Sequence, residues 1–209
     1  MPTLLHIQSS PRTGRSYSLA AAEAFVAAYR AQRPGAKVDQ LDLWRETLPV
    51  FNGATIEAKY AVLGGVKHTK EQEAAWRTVE AVVDRLKRAD HVLISLPMWN
   101  FGVPYVLKHY IDVVTQPGLA FAWSPDKGYQ GLIKGKSAVV IYSSAGSYAP
   151  GSGAEDFDYQ RPYLEHWLRF IGFEAIRSIH VAPTMADGST VSRAVDEAKA
   201  AAQAAAGAV

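Results

Sequence analysis

Ser9, Ser10, Thr13, Ser16 and Ser18 crowd one short stretch near the start of the chain, with Arg12 and Arg15 among them. They follow a short apolar run and open into a helical pattern. Hydroxyls, turn N–H groups and a helix N-terminus all donate to oxygen, and the helix dipole favours negative charge, so this cluster could cradle a phosphate. A polar turn with an ordinary N-cap would use the same residues. A second cluster, Met98-Trp99-Asn100-Phe101, sets two aromatic rings around an amide. A planar ligand would gain stacking area on Trp99 or Phe101, and Asn100 could bond its polar edge. Apolar rings plugging the end of a sheet are the competing role. A third cluster, Ser143-Ser144-Ala145-Gly146, is built from small residues, as a backbone that approaches a flat ring requires. An ordinary turn reads the same way. Together the three describe one ligand with a phosphate tail and a planar heteroaromatic ring, and FMN has that shape.

These clusters need a scaffold that brings them to one place. Apolar runs at 3–8, 90–97 and 137–143 have the continuous character of strands buried on both faces, and 38–43 and 176–182 supply two weaker ones. Helical spacing of Leu19, Ala22, Val26 and Tyr29 fills the first gap, ended by Pro34-Gly35. Thr69-Lys70-Glu71-Gln72 reads as a capping box before the stripe Ala75, Val79, Val82, Val83 and Leu86. Pro104 suits the first position of a helix running to about Thr115, and further helices are expected around 158–170 and 189–206. Stretches 44–68 and 119–135 read as long and irregular, as covering or functional loops do. Alternating β and α elements predict an α/β fold, a doubly wound five-stranded parallel sheet of flavodoxin-like order 2-1-3-4-5 with helices on both faces. Ligands of such sheets bind at the carboxyl ends of the strands, which is where all three clusters fall.

Composition narrows the class. With 209 residues, 48% hydrophobic and 20% charged, the chain fits one domain, 1–209, with a large core. Lys+Arg 22 against Asp+Glu 20 leaves a net +2, too little to argue for nucleic acid. No cysteine is present, which removes thiolate metal sites and cysteine nucleophiles and fits a reducing compartment. Six scattered histidines (6, 68, 91, 109, 166 and 180) show no metal-ligand spacing. His6, His91 and His180 fall in strands and are expected to be hydrogen-bonded there. No G-x-x-x-x-G-K-[ST], G-x-G-x-x-G after the first strand, or G-x-S-x-G occurs, which argues against P-loop, dinucleotide and hydrolase chemistry. No targeting segment or apolar run of about 20 residues is seen, so a cytoplasmic location without membrane or nucleic-acid partners is expected.

At these same residues the chain resembles the FMN-dependent NADH azoreductases, which also act as NADH:quinone oxidoreductases. The matching pieces are Ser9-Ser10, Ser16-Tyr17-Ser18, Pro97-Met98-Trp99-Asn100-Phe101 and Ser143 to Gly146. Leu107 to Asp112, Gly135-Lys136, Pro162-Tyr163-Leu164 and Phe170-Ile171-Gly172 match downstream, so the likeness spans nearly the whole chain. It implies FMN bound by Ser10, Ser16, Tyr17, Ser18, Pro97, Met98, Trp99, Asn100, Phe101, Ser143, Ser144, Ala145 and Gly146, with Asn100 and Phe101 positioning the flavin N5 that carries the hydride. It further implies NADH or NADPH as co-substrate, quinones and azo dyes as acceptors, and a homodimer with sites at the interface. Phe121, Trp123 and Tyr148 would then touch substrate, the first two from a flap over the neighbouring subunit's flavin. Trp99 stands where Tyr is common, Ser144-Ala145 where Arg-Gly is frequent, and residues 54–66 read as an insertion. A flavodoxin-like FMN reductase acting on other acceptors and a non-catalytic flavin electron carrier are the alternatives.

Overall fold

The structure, a computed structural model, describes residues 1–209. In chain order the elements are β1 (Thr3–Gln8), α1 (Tyr17–Gln32), β2 (Lys37–Asp42), α2 (Gly53–Gly64), α3 (Lys70–Arg88), β3 (His91–Pro97), α4 (Tyr105–Val114), β4 (Phe121–Ser124), β5 (Gly128–Gly131), β6 (Ser137–Ser143), α5 (Arg161–Ile171), β7 (Ala175–Val181) and α6 (Gly188–Ala206). Five strands form one parallel sheet in the order β2-β1-β3-β6-β7. Counted among themselves they run 2-1-3-4-5, the flavodoxin-like order expected.

Period-two alternation assigns each strand residue to one of two cores. Leu5, Ile7, Val92, Ile94, Leu96, Val140 and Tyr142 face the larger one, with α3, α4 and α5. Leu4, Leu93, Val139 and Ile141 face the other, where Ala21 and Ala22 of α1 meet Ala198 and Ala202 of α6. Alanine on both helices lets their backbones approach closely while each still covers the sheet. His6 lies 2% exposed on this second face, its Nε2 3.0 Å from Ser95 Oγ, so it is a hydrogen-bonded core residue as expected.

The capping box forms as expected: Thr69 Oγ1 accepts from Gln72 N, and Gln72 Oε1 accepts from Thr69 N. Elsewhere local details differ from expectation. The stretch 44–68 is not wholly irregular but contains α2, capped by Asn52 and ended at Gly65 with φ 63°. Only Thr55 and Ala58 of α2 are buried, so it shows no apolar stripe toward the core, the signal that identifies a helix from sequence. The stretch 119–135 holds the antiparallel hairpin β4–β5, whose four-residue strands are too short for a period-two pattern. Pro104 is the N-cap of α4 with extended backbone (ψ 143°) rather than its first helical residue. Helix α5 starts at Arg161, because Asp158 Oδ1 accepts from both Gln160 N and Arg161 N and holds the preceding turn open.

Candidate functional site

The carboxyl ends of β1, β3 and β6 are laced together before any side chain is considered. Ser9 N donates to Ser95 O (3.1 Å), and Met98 N donates to Ser143 O (2.7 Å). Above this rim opens a cavity of about 380 Å³. Ser10, Arg12, Arg15, Ser16 and Tyr17 line it from the first loop, Pro97, Met98 and Trp99 from the second, and Ser143, Ser144 and Ala145 from the third. Nine of the residues singled out from sequence as cofactor contacts therefore share one wall.

At its first end the cavity meets the start of α1. Ser16 caps the helix by accepting from Leu19 N, and its Oγ lies 3.3 Å from Ser18 Oγ. The first turn of α1 carries no acidic residue, whereas that of α3 carries Glu71 and Glu73. Arg12 and Arg15 stand exposed beside the α1 start, and neither pairs with a carboxylate. A helix terminus left uncompensated, with free N–H groups and two guanidinium groups beside it, is suited to an anion.

At the second loop the backbone folds into a tight hairpin. Trp99 N donates to Gly102 O (3.0 Å) and Gly102 N returns a bond to Trp99 O (2.9 Å). Its two central residues, Asn100 (φ 46°) and Phe101 (φ 68°), are both left-handed. That is type I′ turn geometry, which favours Asn at the first place and Gly at the second. Phe101 occupies the glycine place at a cost of about 1–2 kcal/mol. The segment before α5 holds it there: Gln160 Nε2 donates to Pro97 O (2.7 Å), Tyr159 N donates to Phe101 O (3.0 Å), and the Phe101 ring lies 5.7 Å from that of Phe157. The turn turns Trp99 toward the cavity wall, where its ring packs 5.7 Å from Trp44 and 6.2 Å from Tyr105. Trp44 in turn donates from Nε1 to Ser9 O (3.0 Å), tying the first loop to the second.

A fourth segment, after β7, was not singled out from sequence. Thr184 and Met185 line the cavity, Thr184 N and Oγ1 both donate to Ser144 O (3.0 and 2.9 Å), and Met185 N donates to Ala145 O (3.1 Å). Only the pairing of Ser143 with Val181 across β6 and β7 brings this loop to the rim. No residue type in Pro183-Thr184-Met185 marks it.

The remaining expected residues lie elsewhere. Ser18 is fully buried behind Ser16. Asn100 and Phe101 stand at the exposed tip of their turn rather than on the cavity wall, and Gly146 bends back so that its carbonyl accepts from Ser144 Oγ (2.7 Å). Tyr148 lines an adjoining cavity of about 320 Å³ that shares Met98 and Ser144 with the first. Phe121 packs on Tyr129 and Phe170 near the end of α5. Since α5 begins beside Pro97 and rises about 1.5 Å per residue, Phe170 sits about 14 Å away from the rim. Phe121 and the exposed Trp123 therefore do not reach the cavity of their own chain.

A family profile for the flavodoxin-like fold matches residues 2–206. The chain belongs to this family. Within it, the FMN-dependent NADH:quinone oxidoreductase of Desulfotalea psychrophila is 42% identical over 199 residues, covering 95% of this chain and 93% of that one. The enzyme of the same description from Nitratidesulfovibrio vulgaris strain DP4 is 44% identical over 194 residues, covering 93% and 92%. Among solved structures, an azoreductase from Bacillus anthracis strain Sterne superposes with TM-score 0.91 at 24% identity, covering both chains in full. An FMN-dependent NADH-azoreductase from the Ames Ancestor strain, in complex with FMN, gives 0.85 at 24%, covering 99% of this chain and all of that one. The structural likenesses establish the family fold across the whole chain.

Proposed function

We propose that this chain is an FMN-dependent NAD(P)H oxidoreductase that reduces quinones and cleaves aromatic azo compounds to amines. One juxtaposition carries the reading: an uncompensated helix start flanked by Arg12 and Arg15 opens into the same cavity as a rim walled by Trp99 and by the small residues 143–145. A phosphorylated flat cofactor needs both features, at opposite ends. The named activity of the relatives, at 42% and 44% identity over nearly their full length, supports the same assignment.

Bound FMN would supply hydride acceptance from a nicotinamide and hydride delivery to the acceptor. Ser10, Ser16 and the first amides of α1 would hold its phosphate, with Arg12 and Arg15 adding charge. Pro97, Met98 and Trp99 would flank the ring, and the backbone N–H groups of Ala145 and Gly146 would face its pyrimidine edge as preorganised donors, the N–H of Ser144 being held by Val181 O. Asn100 and Phe101 act on ring placement through the turn they form, which sets the direction of Trp99. No side chain of the cavity need form a covalent bond. A cavity open on one side serves donor and acceptor in turn, the condition for a ping-pong cycle.

The homodimer belongs to this reading. Hairpin β4–β5 presents Trp123 and Tyr129 to solvent and packs Phe121 and Tyr129 on Phe170, near the end of α5 that points away from its own rim. As a flap with Phe121, it would serve the site of a second copy. Residues 1–209 act as one domain, both cores resting on one sheet, and the setting is cytoplasmic; no helix is long and apolar enough to cross a membrane.

The test is flavin uptake with discrimination. Purified protein should carry equimolar FMN, oxidise NADH with a quinone and decolourise an azo dye. Arg15→Ala with Ser16→Ala should weaken FMN binding by about tenfold or more while riboflavin, which lacks the phosphate, binds as before. Protein that stays colourless with added FMN rejects the reading.

A further inference from the structure

Beside the candidate flavin cavity lies the second one, of about 320 Å³, and nothing in the proposed electron transfer uses it. It is wide enough for an aromatic ring and opens on the first cavity past Met98 and Ser144. Its polar lining is mostly donors. Arg161, half-buried at the start of α5, has its Nε side turned to Asp158 Oδ2 at 3.6 Å, and neither Nη group makes a hydrogen bond within the protein. The Tyr148 hydroxyl is also without a partner, and so are the His180 ring nitrogens, contrary to the hydrogen bond expected of that residue, because its ring is stacked on Tyr142 at 5.1 Å. The one carboxylate present, Asp158, is spent locally: Oδ1 accepts from Gln160 N and Arg161 N, each at 3.0 Å. Asp158 thus attracts one edge of the guanidinium through a long ion pair and leaves the two-donor edge open, the geometry that matches a carboxylate or sulfonate.

We infer that this second cavity is an acceptor subsite in which Arg161, with Tyr148 beside it, seats the anionic substituent of an aromatic acceptor whose ring reaches past Met98 to the first cavity. The inference rests on the flavin reading of that first cavity. It assigns the enzyme a preference among acceptors: sulfonated or carboxylated quinones and azo dyes over their uncharged counterparts.

Calorimetric binding to the oxidised, FMN-loaded protein tests it, with anthraquinone-2-sulfonate and its uncharged hydroxymethyl counterpart as probes. Wild type should bind the sulfonate more tightly. Arg161→Met should lower the ratio of the two affinities about tenfold, and Arg161→Lys should recover part of it. Arg169→Met, which removes an exposed charge of the same helix paired with Glu165, should leave the ratio where it was. Flavin content reports whether each variant folds. A ratio unmoved by Arg161→Met overturns the inference, as does a variant that loses flavin affinity in place of sulfonate affinity, since Arg161 would then serve the cofactor. Wild-type protein that never takes up FMN overturns the flavin reading, and this inference with it.

Discussion

The side-chain amide of Gln160 donates to the carbonyl of Pro97 at 2.7 Å, joining the residue before α5 to the last residue of β3 across 63 positions of chain. Gln160 is 1% exposed, and a second, longer contact reaches Gly102 O at 3.4 Å. One buried amide thus fixes where the strand ends and where the following turn closes.

Replacing Gln160 with Leu keeps the volume and removes the donor. The Pro97 carbonyl is left without its partner, which costs about 1–3 kcal/mol. Urea denaturation should show that loss, and FMN should dissociate faster because Pro97 and Met98 line the cavity. Unchanged stability and flavin release would mean the bond positions nothing.

Phe101 has φ 68° and the residue is 47% exposed. Alanine at this place keeps the backbone strain and loses the contact with Phe157; glycine loses the contact and relieves the strain. Phe101→Gly should therefore be more stable than Phe101→Ala by about 1 kcal/mol, although glycine is ordinarily the more destabilising choice. Equal stabilities would show that the left-handed backbone is not a constraint.

Gly131 abuts the end of α5. A Cβ there would lie 2.3 Å from Gly172 N and 2.4 Å from Ile171 C, both backbone atoms that cannot step aside cheaply. Gly131→Ala should cost about 1–3 kcal/mol and displace the hairpin. FMN uptake should stay near wild type, because the rim lies at the other end of α5, while quinone turnover falls through the flap over the neighbouring site. Full turnover with a displaced hairpin would remove the flap from the reading.

His6 is buried against Ser95, and burial lowers its pKa from 6.5 to about 3. The unfolded chain therefore binds a proton near pH 6.5 that the folded chain refuses until about pH 3. Stability from this group is complete above pH 6.5 and falls as pH drops toward 3, by up to about 1.4 kcal/mol per pH unit. His91 and His180, lowered chiefly by burial, act in the same direction. Melting temperature should decline between pH 6.5 and about 5.5, above the range where most carboxylates titrate, and His6→Gln should flatten part of that decline. A melting temperature flat across that interval contradicts a buried neutral His6.

Much of this molecule was legible in the residues themselves, for physical reasons. Continuous apolar runs at β1, β3 and β6 mark strands covered on both faces, and a sheet covered on both faces by its own crossovers is parallel and opens its carboxyl rim. Hydroxyls at 9–18 and small residues at 143–146 therefore pointed to one rim from types and order alone. The capping box at Thr69 needed nothing beyond four consecutive residues. Tertiary structure decided what depends on distant partners. Helix α2 is held by its caps and by α3 and shows no core stripe. The left-handed backbone of Phe101 is chosen by Tyr159 and Gln160 against the local preference of a phenylalanine. Thr184 reaches Ser144 only because β7 pairs with β6. Trp123 and Phe121 are aromatic in sequence, but only the direction of α5 puts them at the far end of their own chain. A periodic pattern reports how an element meets the core. It carries no information on which remote carbonyl a side chain will find, and the walls of this cavity are set by such contacts.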